Sequence, residues 1–139
     1  MGTSASIGYT VQNGIRASYL NSDGDPETAG QELVNCYTTI KDVDTLVGLG
    51  DLSSLGPSIH ETTAYARDCD EDWAEVAPRY YRDKMEWIQN GPSVEFFYLF
   101  DCETLTWRCF LDNERVISLP EPVVAETESD SWDSWRPAR

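Results

Sequence analysis

Asp68, Asp70, Glu71 and Asp72 crowd five positions around Cys69, and such a density of carboxylates suits Ca²⁺ or Mg²⁺. The group lacks the spaced D-x-D-x-D-G loop with a distal Glu that an EF-hand requires. It therefore reads as a solvated acidic turn, with no metal assigned to it, and as a patch that a basic partner can recognise. Asp23 and Asp25 flank Gly24 in a similar short group, where Asp25 is placed to cap a helix. Asp51 opens Asp51-Leu52-Ser53-Ser54. A small ligand or nucleotide, or the substrate of an enzyme of unrecognised type, would sit in a pocket near residues 23–27 and 51–54.

Other chemistries fare worse. His60 follows Ser53, Ser54 and Ser58 in the chain, but the G-x-S-x-G elbow of a serine hydrolase is missing. Cys36, Cys69, Cys102 and Cys109 form no CxxC pair, and with His60 the only histidine a zinc site would need nearly every cysteine to converge. Cys102 and Cys109 flank an expected turn, where one disulfide or half a metal site is conceivable; the preferred reading is four reduced thiols, mostly in core or strand positions. Paired carboxylates for glycoside hydrolysis carry no information in a chain with 25 acids, because abundance alone supplies pairs. No catalytic residue and no cofactor is assigned. Trp132 and Trp135 sit in two copies of Asp-Ser-Trp, a pattern suited to short-motif recognition because Trp is a preferred anchor.

The charge balance narrows the partners. Asp and Glu number 25 against 10 Lys and Arg, a formal net of −15 in 139 residues. Such a field repels nucleic-acid backbones and anionic membranes and favours basic surfaces. Direct nucleic-acid binding needs a Lys/Arg patch, and only Arg79, Arg82 and Lys84 cluster, beside Asp83 and Glu86. The longest apolar run, residues 96–100, is far below the roughly 20 residues of a membrane helix. The first residues lack the basic start and apolar core of a signal peptide, so the expected location is cytoplasmic. If the acids gathered on one face, a net of −15 would match about 25 Å of DNA duplex.

The elements that must position these residues follow from local pattern. Residues 7–19 alternate about Asn13-Gly14 and predict a hairpin. Asp25-Pro26-Glu27 opens a helix with Ala29, Leu33, Val34 and Tyr37 on one face. Thr39, with Asp42 three residues on, starts a second, buried through Val43, Leu46 and Val47 and ended by Gly48 and Gly50. Residues 51–57 predict a structured loop and 62–67 a strand. Pro78 starts a third helix, which stops at Asn90-Gly91-Pro92. Residues 94–101 and 105–111 predict paired strands, the first apolar on both faces as in a central strand; 116–119 adds an edge strand. The expected fold class is α+β, a mainly antiparallel sheet of four to six strands with two or three helices packed on it.

One domain spans residues 1–119, and 120–139 reads as a flexible acidic tail. Acidity belongs to the domain itself, because residues 1–119 hold 20 acids against eight bases.

Asp23-Gly24-x-Pro26-Glu27, Gly30, Tyr37, Lys41 and Leu49-Gly50-Asp51-Leu52-Ser53-Ser54-Leu55-Gly56 resemble a family of small uncharacterised proteins of tailed bacteriophages and prophages. Tyr65-x-Arg67-Asp68, Trp73 and Tyr98-Leu99-Phe100-Asp101 are similar too, so the likeness covers most of residues 7–110. The family pattern carries His-Trp before its Asp-Gly, where this chain has Asn21-Ser22. The resemblance implies an accessory protein made in a bacterial host, and it implies no activity. Taken with the charge, it predicts a protein that binds and inhibits a host protein with a basic surface, in defence evasion or host takeover, through an acidic face that mimics DNA.

Overall fold

Strands β1 (Ala5–Val11) and β2 (Gly14–Leu20) form the expected antiparallel hairpin. Its turn is one residue earlier than the Asn13-Gly14 signal implies: Val11 faces Gly14 across the ladder, which leaves Gln12 and Asn13 as the central pair. Asn13 takes the positive φ, 69°, as Asn tolerates. Gly14 serves a different purpose. A Cβ there would lie 2.3 Å from Tyr81 O, so only glycine admits the strand that packs against it. The computed structural model describes residues 3–111, 115–117 and 119.

The fold is α+β, with one mixed sheet of eight strands. The further strands are β3 (Leu52–Ser54), β4 (Thr63–Ala64), β5 (Arg79–Tyr81), β6 (Phe96–Asp101), β7 (Thr106–Phe110) and β8 (Val116–Ile117). They run in the order β4-β3-β2-β1-β6-β7-β8, and β5 also pairs with β2. Two pairings are parallel, β1 with β6 and β2 with β3. The expected sheet was smaller and less mixed; the strands not expected are β3 and β5, three residues each and too short to show a period of two.

Among the described residues five α-helices, not the two or three expected, pack around it: α1 (Gln31–Cys36), α2 (Ile40–Gly48), α3 (Tyr65–Cys69), α4 (Trp73–Val76) and α5 (Lys84–Asn90). A π-helical turn, Pro26–Gly30, leads into α1. Its start departs from the expectation, because Asp25 caps through its carbonyl, which accepts from Thr28 N and Ala29 N, while its side chain holds the Thr28 hydroxyl. Thr39 does cap α2, accepting from Asp42 N at 3.1 Å. Gly50, at φ +88°, ends that helix where a Cβ would strike Val76 O at 2.5 Å.

Strand alternation sends apolar side chains to both faces of the sheet. Ile7, Tyr9, Leu20, Tyr98 and Phe100 meet Leu33 of α1 and Val43, Leu46 and Val47 of α2 on one side. Ile15, Ala17, Phe97, Leu99 and Phe110 meet Trp87 and Ile88 of α5 on the other. Trp87 is fully buried, edge-on to Phe97 with ring centroids 5.2 Å apart, and donates Nε1–H to Ser6 Oγ at 2.9 Å. The double-sided apolarity of residues 96–100 thus reports a central strand covered twice.

Three local expectations are corrected. Residues 51–57 contribute β3, because Leu52 is buried against β2 and Asn21 N donates to Leu52 O. Residues 62–67 are strand only at β4 before the chain turns into α3. The helix after Pro78 begins six residues late. Arg79–Tyr81 pair with β2, and Asp83 then caps α5 by accepting from Glu86 N at 2.9 Å. Glu86 reaches back to accept from Arg82 N, the residue before the cap, a variant of the capping box.

Candidate functional site

Between α3 and α4 the chain runs over the surface. Residues 67–75 are nine consecutive exposed positions, carrying Asp68, Asp70, Glu71, Asp72 and Glu75. Asp70, at φ 61°, ends α3 in the left-handed conformation that Asp tolerates, and Asp72 precedes α4. Asp68 has a local role. It receives Arg67 at 2.8 Å and Ala64 N at 2.8 Å, and these bonds hold its carboxyl below the ordinary range. No group of three or more metal-ligating side chains converges among the described residues.

Trp73 stands within this strip, 48% exposed, and the edge of its indole lies against Gly50. Tyr80 on β5 is more exposed still, at 70%. Trp and Tyr join a large apolar body to a polar handle, which is why they are enriched at interfaces. The remaining carboxylates do not share one side. Glu32 is on α1, Asp42 and Asp44 are on α2, and Asp83 and Glu86 belong to the opposite face with α5.

Asp51 is placed very differently. Its backbone N donates to Val76 O at 2.7 Å and its carbonyl accepts from Tyr65 N at 3.1 Å. Its side chain bridges a gap in the sheet. The outer edge of β2 is shared by β5, at Ile15 to Ala17, and by β3, at Leu20. In the space between them Asp51 Oδ1 accepts from Tyr19 N at 3.0 Å. Arg79 Nη1 lies 3.3 and 3.5 Å from the two carboxylate oxygens, and Arg79 Nη2 donates to Glu75 O at 3.0 Å. Burial nonetheless pushes the Asp51 carboxyl up, outweighing the Tyr19 N–H and the guanidinium.

A cleft of about 490 Å³ opens beside this carboxylate on the α5 side. Tyr19, Tyr81, Arg79 and the Asn90-Gly91-Pro92 loop line it with Asp51. The expected pocket joined residues 51–54 to 23–27, and only Asp51 of these reaches the cleft. The 21–24 loop is held against residues 52 and 53 but does not line the cleft. Ser22 Oγ donates to Ser53 O, Gly24 N to Thr3 O, and Tyr98 Oη to Gly24 O at 2.5 Å. Tyr98 lies on the α1–α2 side. Arg79, Tyr81 and Asn90 were missed as cleft residues, since they come from segments 28 and more positions beyond Asp51.

The other sequence candidates are quickly placed. All four cysteines are free thiols, and burial raises Cys109 to about 12, which makes it an inert core thiol. His60 is exposed, while Ser58 Oγ donates to Glu61 at 3.0 Å. Trp132 and Trp135 lie outside the described residues.

The Leu49–Gly56 stretch that carries the family likeness is explained by packing. Gly50 and Asp51 act as above, and Gly56 O accepts from Tyr37 Oη at 2.8 Å while Gly56 N donates to Thr62 Oγ1 at 2.9 Å. No family model, curated protein or solved structure matches this chain. No described helix is long and apolar enough to cross a membrane.

Proposed function

We propose that this protein works by binding a basic partner protein through the acidic strip at residues 67–75, with Trp73 as the anchor. The observation that carries the reading is the half-exposed indole set among five carboxylates in nine consecutive exposed residues. An aromatic anchor with a charged rim is how tight protein contacts are built. The net charge of −15 steers a cationic partner from a distance. Because the other acids stand on both faces of the sheet, recognition is assigned to this strip and not to a whole face that imitates duplex DNA.

The resemblance to phage accessory proteins supplies the setting. In that setting the partner is a bacterial host protein in the cytoplasm, and binding serves defence evasion or host takeover. The test is affinity capture from bacterial lysate with the full chain and with Trp73→Ala. A specific protein retained by the former, eluted by rising salt and lost in the variant supports the reading. Equal retention by both proteins refutes it.

A further inference from the structure

We propose that the cleft beside Asp51 binds a planar, uncharged heterocycle presenting two adjacent N–H donors, the pattern of a guanine base. The volume, about 490 Å³, lies within the range of small-molecule sites. Tyr19 and Tyr81 supply aromatic walls, and Asn90, at the end of α5, supplies an amide with both donors and an acceptor.

The carboxylate sets the donor pattern. Asp51 is only 9% exposed, yet its bonds are few for a buried anion. Oδ1 has one short partner, Tyr19 N at 3.0 Å. Arg79 Nη1 sits astride both oxygens at 3.3 and 3.5 Å, longer than a charge-assisted bond of good geometry. A carboxylate offers about four acceptor sites, and on Asp51 these contacts leave room for donors that enter from the cleft it lines. Two parallel N–H groups would seat where the guanidinium now bridges. Arg79 is half-exposed and keeps its bond to Glu75 O, so its flat face is free to lie over the ring.

Charge excludes the competitors. A cationic ligand meets Arg79. An anionic one meets Asp51 and a molecule of net charge −15, which disfavours a nucleotide relative to its base or nucleoside. Adenine and cytosine place a bare ring nitrogen beside their amine, and that lone pair would face a carboxylate oxygen. None of residues 67–75 lines the cleft, so Trp73→Ala and the cleft variants test this proposal and the protein-binding reading separately.

The experiment titrates the full chain with guanosine, adenosine, guanosine monophosphate and arginine amide, followed by ligand-observed NMR. Saturable guanosine binding, at least tenfold tighter than that of the other three, is the expected result. Asp51→Asn retains an oxygen for Tyr19 N–H but turns the other position into a donor, and should weaken guanosine at least tenfold. Asn90→Trp, at an exposed position, should do the same by filling the cleft mouth, and it decides the matter if Asp51→Asn does not fold. Glu103→Gln, exposed and outside both the cleft and the 67–75 strip, should leave guanosine binding unchanged. Absence of saturable guanosine binding, equal binding of adenosine, preference for arginine amide, or binding unaffected by Asn90→Trp would each overturn the proposal.

Discussion

Ionisation of Asp51 works against folding even as the side chain holds the sheet together. Burial raises its carboxyl above 3.8, so the charged form is less welcome in the folded chain than in the unfolded one. The cost is present at neutral pH and disappears as the pH falls through the raised value. Asp68 and Asp83 are shifted down, and their contributions go the other way, being lost on acidification below 3.8. Those two are common to wild type and Asp51→Asn and cancel in a comparison. Urea unfolding at pH 7 and at pH 4 should therefore show the wild type gaining stability relative to Asp51→Asn as the pH drops; a constant difference would count against the assignment. Ser18 offers a second test. Its hydroxyl is the one buried side-chain polar atom without a partner among the described residues, so Ser18→Ala should raise stability by about 1 kcal/mol in chemical denaturation. Asp51 stood out in the sequence as an acid within a distinctive loop. Its partners Tyr19 and Arg79 did not, because nothing local records a contact across 28 or 32 residues.

The elements that sequence foretold were those set by short-range chemistry. The hairpin needed only alternation and a turn residue, and α2 needed only Thr39, three buried aliphatics and Gly50. Thr39→Ala should cost about 1 kcal/mol of stability, read from thermal or urea unfolding, through loss of the bond to Asp42 N. A cost near zero would mean that packing of Val43, Leu46 and Val47 alone holds α2. The segment after Pro78 was misread for an identifiable reason. Tyr81, Met85 and Ile88 have helical spacing, whereas Asp83 and Glu86 mark the true start. Arg79–Tyr81 became strand because the edge of β2 was unfilled there and Gly14 gave it room. Tertiary pairing overrode local pattern.

For the whole molecule, α+β architecture was legible and the mixed sheet order was not. The parallel pairing of β1 with β6 joins residues about ninety positions apart, and only the two-sided apolarity of 96–100 hinted at a central strand. Net charge was likewise legible, but its arrangement was not. Carboxylates stand on both faces, and exposed Trp73 distinguishes one strip among them. The account rests on that strip acting as a specific contact, so the decisive comparison holds charge constant. Asp70→Asn/Glu71→Gln/Asp72→Asn removes three charges from the strip, and Glu27→Gln/Glu32→Gln/Asp42→Asn removes three elsewhere. Affinity for the captured partner, measured at one fixed salt concentration, should fall at least tenfold for the first variant and change less than twofold for the second. Equal losses in both would show that the molecule attracts its partner by bulk charge alone, contradicting a docking site at residues 67–75.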